Sequence, residues 1–229
     1  MKTKAIVLSA GKGKRMNSDI SKQYIAVFDR PILYYTLKAF QDSEIDEIIV
    51  VCGKNDIEYV KYDIIQKYHM TKVTEITEGG KERYDSVISG LKLVEDTDYV
   101  LVHDGARPLI KPQEINRMLS ELEVCPACIM GMPVKDTIKI QDQDGYVAST
   151  PKRSDVWQIQ TPQGFRADIL KCAYAKMKEN QDETVTDDST AVEKYGNQKI
   201  KLIKGSYENI KVTTPEDLVV MEGILSSRE

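Results

Sequence analysis

Apolar residues are distributed along the chain in two rhythms. Short runs at residues 5–8, at 47–52 with Ile-Ile-Val-Val in the middle, and at 73–77, 99–103 and 129–134 predict strands. Continuous runs suit strands covered on both faces, which have no polar side to show. A further strand is predicted at 199–204. Between the runs, apolar positions recur every three or four residues: at 31–40; at Ile57, Val60, Ile64 and Tyr68; at 82–94, with Val87, Leu91 and Val94 on one face; at Ile115, Met118, Leu119 and Leu122; at 165–177; and at 186–195. These spacings predict helices. Thr214-Pro215-Glu216-Asp217 starts a last helix, with Thr214 as cap, Pro215 in the first turn and Asp217 closing a capping box, followed by Leu218, Met221 and Leu225. Strands alternating with helices predict a Rossmann-like α/β fold, a mostly parallel sheet with helices on both faces.

The rhythm breaks between residues 135 and 160. Residues 137–140 and 146–150 read as two strands joined by a turn at Gln141-Asp142-Gln143-Asp144-Gly145. An isolated hairpin cannot bury itself. It is either a protruding arm that packs on another subunit or a hairpin folded back on its own domain. The expected organisation is a single domain over 1–229, with 135–160 as the candidate arm.

Composition narrows the partners. With 41% hydrophobic and 30% charged residues among 229, the chain reads as a globular domain. A net charge of −4 argues against nucleic-acid binding, which draws on a broad basic surface. No 18-residue apolar run predicts a membrane span, and Met1-Lys2-Thr3-Lys4 leads into the first strand without a signal-peptide core, so a cytoplasmic location is expected. Cys125-Pro-Ala-Cys128 is a lone CxxC with no second ligand pair, and neither His69 nor His103 is spaced to join it. Plain thiols are expected there and at Cys52 and Cys172.

Candidate chemistry gathers where strands end, the edge at which open α/β sheets bind ligands. The first strand runs into Ser9-Ala10-Gly11-Lys12-Gly13-Lys14-Arg15, with Lys22 close behind. Glycines let backbone N–H groups approach an anion, and the cations reinforce it. No Gly-Lys-Ser/Thr closes a Walker loop, and no third glycine completes a dinucleotide fingerprint. Gly79-Gly80-Lys81 enters a helix carrying Ser86, and Val102-His103-Asp104-Gly105-Ala106-Arg107 places a carboxylate at a strand end. Such an aspartate suits a divalent metal held against phosphate oxygens, and Arg107 suits either a substrate phosphate or a local carboxylate. Arg153, Lys211 and Thr186-Asp187-Asp188 are further polar candidates, Lys211 alternating with apolar Ile210 and Val212.

Eight blocks in order resemble one family nearly end to end: SAGKGKRM at 9–16, KQY at 22–24, GGKERYDSV at 79–87, VHDGARP at 102–108, PVKDTIK at 133–139, QTPQGF at 160–165, TDDSTAVE at 186–193 and GSYENIKVTTPEDL at 205–218. They are similar to the 2-C-methyl-D-erythritol 4-phosphate cytidylyltransferases of the non-mevalonate route to isoprenoids. The resemblance implies a transfer of CMP from CTP to a polyol phosphate with release of pyrophosphate. It implies that Arg15 and Lys22 stabilise charge at the α-phosphorus and that Gly11 and Gly13 cradle the triphosphate. Ser9, Ala10, Gly80, Lys81 and Ser86 match positions that bind cytosine and ribose. Asp104 and Lys211 match positions near the reacting phosphates, and Arg107, Thr137, Arg153 and Thr186 complete the polyol-phosphate site. Magnesium on the CTP phosphates, held in part by Asp104, and a homodimer in which the arm's Thr137 and Arg153 serve the neighbouring site are further implications.

Ribitol-5-phosphate cytidylyltransferases share this pattern and make the alternative. Gly105-Ala106-Arg107 and the block after Thr186 favour methylerythritol phosphate, since the ribitol group usually has Val before the arginine. Ser9, Ser21 and Gly105 stand where Ala, Pro and Ala are commoner in the family, and none removes a charge. A non-catalytic nucleotide-binding regulator would be expected to lack Arg15, Lys22, Asp104 or Lys211, and all four are present. An NAD-type dehydrogenase would need an acidic residue after the second strand, where Cys52-Gly53-Lys54 stands instead.

Overall fold

The computed structural model describes residues 1–11 and 21–228. Strand β1 (Thr3–Ser9) leads through a 3₁₀ turn at Lys22–Tyr24 and a small ladder of β2 (Ala26–Val27) and β3 (Arg30–Pro31) into helix α1 (Ile32–Gln41). Then come β4 (Glu47–Cys52), α2 (Ile57–Tyr59) running on as a π-helical stretch Val60–Gln66, β5 (Val73–Glu78), α3 (Arg83–Leu91), β6 (Tyr99–Asp104), α4 (Pro112–Leu122) and β7 (Ala127–Pro133). The hairpin β8 (Ile140–Gln141) and β9 (Val147–Ser149) follows. The chain returns through β10 (Trp157–Arg166), α5 (Ala167–Glu179), α6 (Asp188–Ala191) with its π-helical extension Val192–Gly196, β11 (Lys201–Lys204) and α7 (Pro215–Ser226).

Seven strands form one sheet in the order β11-β7-β10-β6-β1-β4-β5. β1 pairs in parallel with β4 and β6, β4 with β5, and β7 with β11. Only β10 runs against its neighbours, antiparallel to both β6 and β7. One face of the sheet is covered by a cluster including Leu37, Phe40, Ile64, Ile115 and Met118, the other by one including Val87, Phe165, Leu170 and Tyr174. Strands β1, β4, β6 and β7 are largely apolar because both faces are covered. Among the described residues, no helix is long and apolar enough to cross a membrane. All four cysteines are free.

The mostly parallel α/β sheet matches the sequence reading, with one substantial correction. Residues 165–177 read as a helix, yet Phe165 is the penultimate residue of β10, a strand that has no apolar run to announce it. Its sequence WQIQTPQGFR carries Pro162, which has no N–H to give a ladder. The pairing with β7 shifts register between Ile159 and Gln163, and the proline sits within that irregularity. Ends move elsewhere: the 82–94 helix closes at Leu91, the 186–195 helix begins only after Asp187, and the 199–204 strand begins at Lys201. Asp187 caps α6, its carboxylate accepting from Thr190 N. The capping box at Thr214 and Asp217 is present.

The hairpin exists, but its ladder spans only Ile140↔Ser149 and Gln141↔Val147, shorter than the predicted 137–140 and 146–150. Its turn is held by the Asp142 carboxylate, which accepts from Asp144 N at 3.0 Å and Tyr146 N at 2.8 Å. Gly145 takes φ +90°, a conformation glycine adopts without strain. Ile140, Tyr146 and Val147 are exposed on it.

If residue 165 belongs to the sheet interior, Phe165→Ala removes a fully buried ring from one core. The expected loss is about 3–5 kcal/mol of stability in urea unfolding. An exposed helix position would lose well under 1 kcal/mol.

Candidate active site

The carboxyl ends of β1 and β6, the loop after β5 and the segment before α7 enclose one cleft. It is lined by Leu8, Ser9, Ala10, Gly11, Lys22, Gln23, Gly80, Lys81, Glu82, Arg83, Ser86, Asp104, Ala106 and Lys211. Nine sequence candidates therefore meet in one place: Ser9, Ala10, Gly11, Lys22, Gly80, Lys81, Ser86, Asp104 and Lys211. Gly13 and Arg15 lie outside the described residues.

Two local devices shape the walls. Gln23 is buried, and its amide donates to the carbonyls of Ser9 and Gly11, fixing the end of β1. Across the cleft, Ser86 Oγ accepts from Gly80 N at 3.2 Å and donates to Glu82 O at 3.3 Å. A side chain on Gly79 would meet Ala10 Cβ at 2.4 Å, so glycine there is what lets the two loops approach. Lys22 donates to Val212 O at 2.9 Å, and Val212 N to Ala106 O at 2.8 Å, which stitches the 3₁₀ turn, the segment carrying Lys211 and the loop after β6 together.

At the floor, Asp104 is ringed by cations. Its Oδ2 lies 2.9 Å from Lys211 Nζ and 3.8 Å from Arg107 Nε, and its Oδ1 lies 3.4 Å from Arg83 Nε. Burial opposes ionisation of this carboxyl. Arg83, Lys211 and Arg107 outweigh it and hold the group well below the usual carboxylate range. Arg83 continues to Asp188, donating from Nη1 at 3.1 Å and Nη2 at 2.7 Å, and Tyr174 donates to the same carboxylate at 2.6 Å. Asp188 is fully buried. Burial opposes the charge on Arg83 as well, but Asp188 and Asp104 hold it protonated. Three cations against two carboxylates leave this wall positive, which suits a phosphorylated ligand.

Arg83 escapes the sequence reading as a functional residue, and Asp188, read there only as one of the polar candidates at 186–188, is not recognisable as its partner. They are 105 positions apart, so only the fold reveals the pair. Arg107 is not among the residues lining the cleft. It sits behind Asp104, where its Nη1 donates to Asn209 O at 2.8 Å and its buried Nε has no hydrogen-bond partner among the described residues. Thr137 and Arg153 are exposed on the arm, Arg153 donating to Lys135 O at 3.2 Å, and neither lines the cleft. Thr186 is exposed before α6, its hydroxyl 3.4 Å from that of Thr190. Among the described residues no cluster of three or more His, Cys, Asp or Glu groups could hold a metal ion. A magnesium ion fits this site as one that rides on phosphates, with Asp104 as a carboxylate beside them, because magnesium is commonly held by one or two carboxylates plus substrate oxygens.

Comparison with known proteins gives one answer. A family model described as IspD, 2-C-methyl-D-erythritol 4-phosphate cytidylyltransferase, matches residues 3–227. A protein of that name from Lachnoclostridium phytofermentans is 52% identical over 228 residues, covering 100% of this chain and 98% of the relative. One from Lachnospira eligens is 51% identical over 94% of this chain and 96% of its own length. Among solved structures, a 4-diphosphocytidyl-2C-methyl-D-erythritol synthase from Anaerococcus prevotii superposes with a TM-score of 0.87 at 36% identity, covering 98% of this chain and 96% of its own. The 2-C-methyl-D-erythritol 4-phosphate cytidylyltransferase from Thermus thermophilus gives 0.79 at 26% identity, covering 99% and 100%.

The ion network yields two expectations. Asp188→Ala strands the half-buried Arg83 guanidinium and is expected to destabilise the fold by about 3–5 kcal/mol, read by urea unfolding at neutral pH. Because the folded-state pKa of Asp104 lies below its unfolded value, its contribution is complete above about pH 4 and is lost as pH falls further. Urea unfolding between about pH 5 and pH 2.5 is expected to show an acid limb that Asp104→Asn flattens.

Proposed function

The chain belongs to the 2-C-methyl-D-erythritol 4-phosphate cytidylyltransferase family, and on that footing we propose that the cleft around Asp104 is where the cytidylyl group changes hands. The protein is a nucleotidyltransferase that transfers CMP from CTP to 2-C-methyl-D-erythritol 4-phosphate, giving 4-diphosphocytidyl-2-C-methylerythritol and pyrophosphate. The observation that carries the assignment of the site is the ring of Arg83, Arg107 and Lys211 around Asp104 beside two glycine-bearing loops. The full-length likeness favours methylerythritol phosphate over ribitol 5-phosphate as acceptor.

The chemistry needs alignment and charge neutralisation. An oxygen of the acceptor phosphate attacks the α-phosphorus, a new P–O bond forms, and the bond to the β-phosphate oxygen breaks with pyrophosphate carrying the electron pair away. Two anions must be brought together, so fixed cations that lose no freedom on binding lower the barrier. Lys22 is held by Val212 O and Lys211 by Asp104, and both face the cleft. We assign them, with Arg15, to the α-phosphate and the incoming phosphate. Asp104 orients Lys211 and Arg83. Gly11 and Gly13 take the triphosphate. Ser9, Ala10, Gly80, Lys81 and Ser86 take the base and ribose, where hydrogen-bonding groups can reject the wrong nucleotide strongly. Arg107 supports this wall from behind Asp104.

Asp104 is the residue that would stand beside a magnesium ion bound with CTP, which would supply neutralisation of phosphate charge. The exposed positions of Thr137 and Arg153 support a homodimer in which the arm, 135–160, completes the polyol-phosphate site of the neighbouring subunit, joined there by Thr186. Four free cysteines and a chain without a membrane-crossing helix among its described residues support a cytoplasmic enzyme.

Pyrophosphate release with CTP and magnesium is expected with methylerythritol 4-phosphate and not with ribitol 5-phosphate. Lys22→Ala and Lys211→Ala are each expected to lower kcat by about 10²–10³-fold without loss of fold. Turnover confined to ribitol phosphate would overturn the acceptor assignment. Mixing inactive Lys22→Ala with impaired Arg153→Ala subunits is expected to restore about a quarter of wild-type activity if the arm serves its partner, since about half the dimers would be mixed and each would carry one intact site. No recovery would place Arg153 in its own subunit's site.

A further inference from the structure

His103 is the penultimate residue of β6 and has no accessible surface. It does not line the cleft, yet both ring nitrogens are engaged. Nε2 lies 3.2 Å from Arg107 O and Nδ1 lies 3.1 Å from Thr161 Oγ1. A carbonyl oxygen only accepts, so the proton sits on Nε2. Nδ1 must then accept, and the Thr161 hydroxyl donates to it. The same Thr161 oxygen accepts from Asp104 N at 3.0 Å. The circuit closes on the far side, where Asn209 Nδ2 donates to Thr161 O at 2.9 Å and Arg107 Nη1 donates to Asn209 O at 2.8 Å.

This ring of hydrogen bonds joins three separate stretches of chain. One carries Asp104 and the turn to Arg107, one is the interior of β10, and one is the segment in which Asn209 stands two residues before Lys211. Phe40 packs against the imidazole with ring centroids 5.1 Å apart and fixes its plane. An apolar residue of similar size would fill the space equally well. What it would not supply is two directional contacts, one to each side, that set where the Asp104 strand end lies relative to its neighbours.

We propose that His103, as its Nε2–H tautomer, is a positioning residue for cytidylyl transfer that acts through Thr161 and the Arg107 carbonyl to hold Asp104 and Lys211 at their working separation. The kinetic part rests on the function assigned above, while the tautomer is a property of the folded chain alone.

The chain has two histidines, so His69→Gln leaves the imidazole of His103 as the one histidine signal in a ¹⁵N-labelled protein. At neutral pH its spectrum is expected to show a protonated Nε2 and a bare Nδ1. An Nδ1–H or doubly protonated ring would overturn the proposal. In kinetics, His103→Leu keeps the volume and loses both contacts, and it is expected to lower kcat by roughly ten- to a hundredfold with KM for CTP within about twofold. His103→Gln, whose amide N–H replaces the donor to Arg107 O, is expected to recover most of that loss. A folded Leu variant with wild-type kcat, or no recovery by Gln, would overturn the positioning role. Should the Leu variant fail to fold, Thr161→Val breaks the same circuit with no change in volume and is expected to show the same selective fall in kcat, and an unchanged kcat would reject the role. A wild type inactive with CTP and methylerythritol phosphate would reject the assigned reaction without altering the ¹⁵N spectrum, so the two failures are told apart.

Discussion

An ionised carboxylate below the surface is unstable unless its surroundings replace the water it gives up. Asp104 meets that demand with Lys211, Arg107 and Arg83, drawn from three different parts of the chain. Arg83 in turn needs Asp188, and Asp188 accepts from Tyr174. Each partner solves one burial problem and creates the next, until the network reaches groups able to close it. The site is therefore held by charge compensation propagated through the fold rather than by any single ion pair. Removing one member leaves its neighbours uncompensated, which is more damaging than never having buried them.

The same arrangement explains why the cleft suits chemistry on phosphates. Cations already fixed by protein carboxylates and carbonyls do not reorganise when an anionic ligand arrives. The positive excess remains after the internal pairs are counted, because three cations share two carboxylates. Lys22 and Lys81 line the same cleft and add to it.

Much of this was legible in the chain itself. Runs such as 5–8 and 47–52 announce strands covered on both faces, and the glycine turns and terminal aspartate mark the edge at which those strands end. Asp104, Lys22 and Lys211 stand out because charged residues border apolar ones at these places. β10 stayed hidden because its middle, Gln160-Thr161-Pro162-Gln163, is polar where a buried strand is expected to be apolar. The structure shows why: Gln160 reaches Ser206 O, Thr161 serves Asp104 and His103, and Gln163 serves Asp187 and Ser189. Polarity in that strand is spent on the site's supports. The pairing of Arg83 with Asp188 was illegible for another reason, since each alone is an ordinary charged residue at a helix start, and sequence does not reveal a pairing across half the chain.

The antiparallel insertion of β10 bears on how the protein comes to exist. Strands β6 and β7 are neighbours in sequence but are not neighbours in the sheet, because β10 lies between them. While the chain is being made from its N-terminus, β1, β4, β5 and β6 are available to pair long before residue 157 emerges, and β6 waits with an open edge. Open edges of apolar strands are where chains pair wrongly with one another. Only when β10 arrives does that edge close, and with it come Thr161 and, later, Asn209 and Lys211. The nucleotide-facing loops, Arg83 and Arg107 thus belong to an early-born half, and Lys211 and Asp188, which complete the charge network, to a late-born one, so truncated or stalled chains would present an open sheet with an unfinished site, and synthesis itself orders aggregation risk ahead of activity.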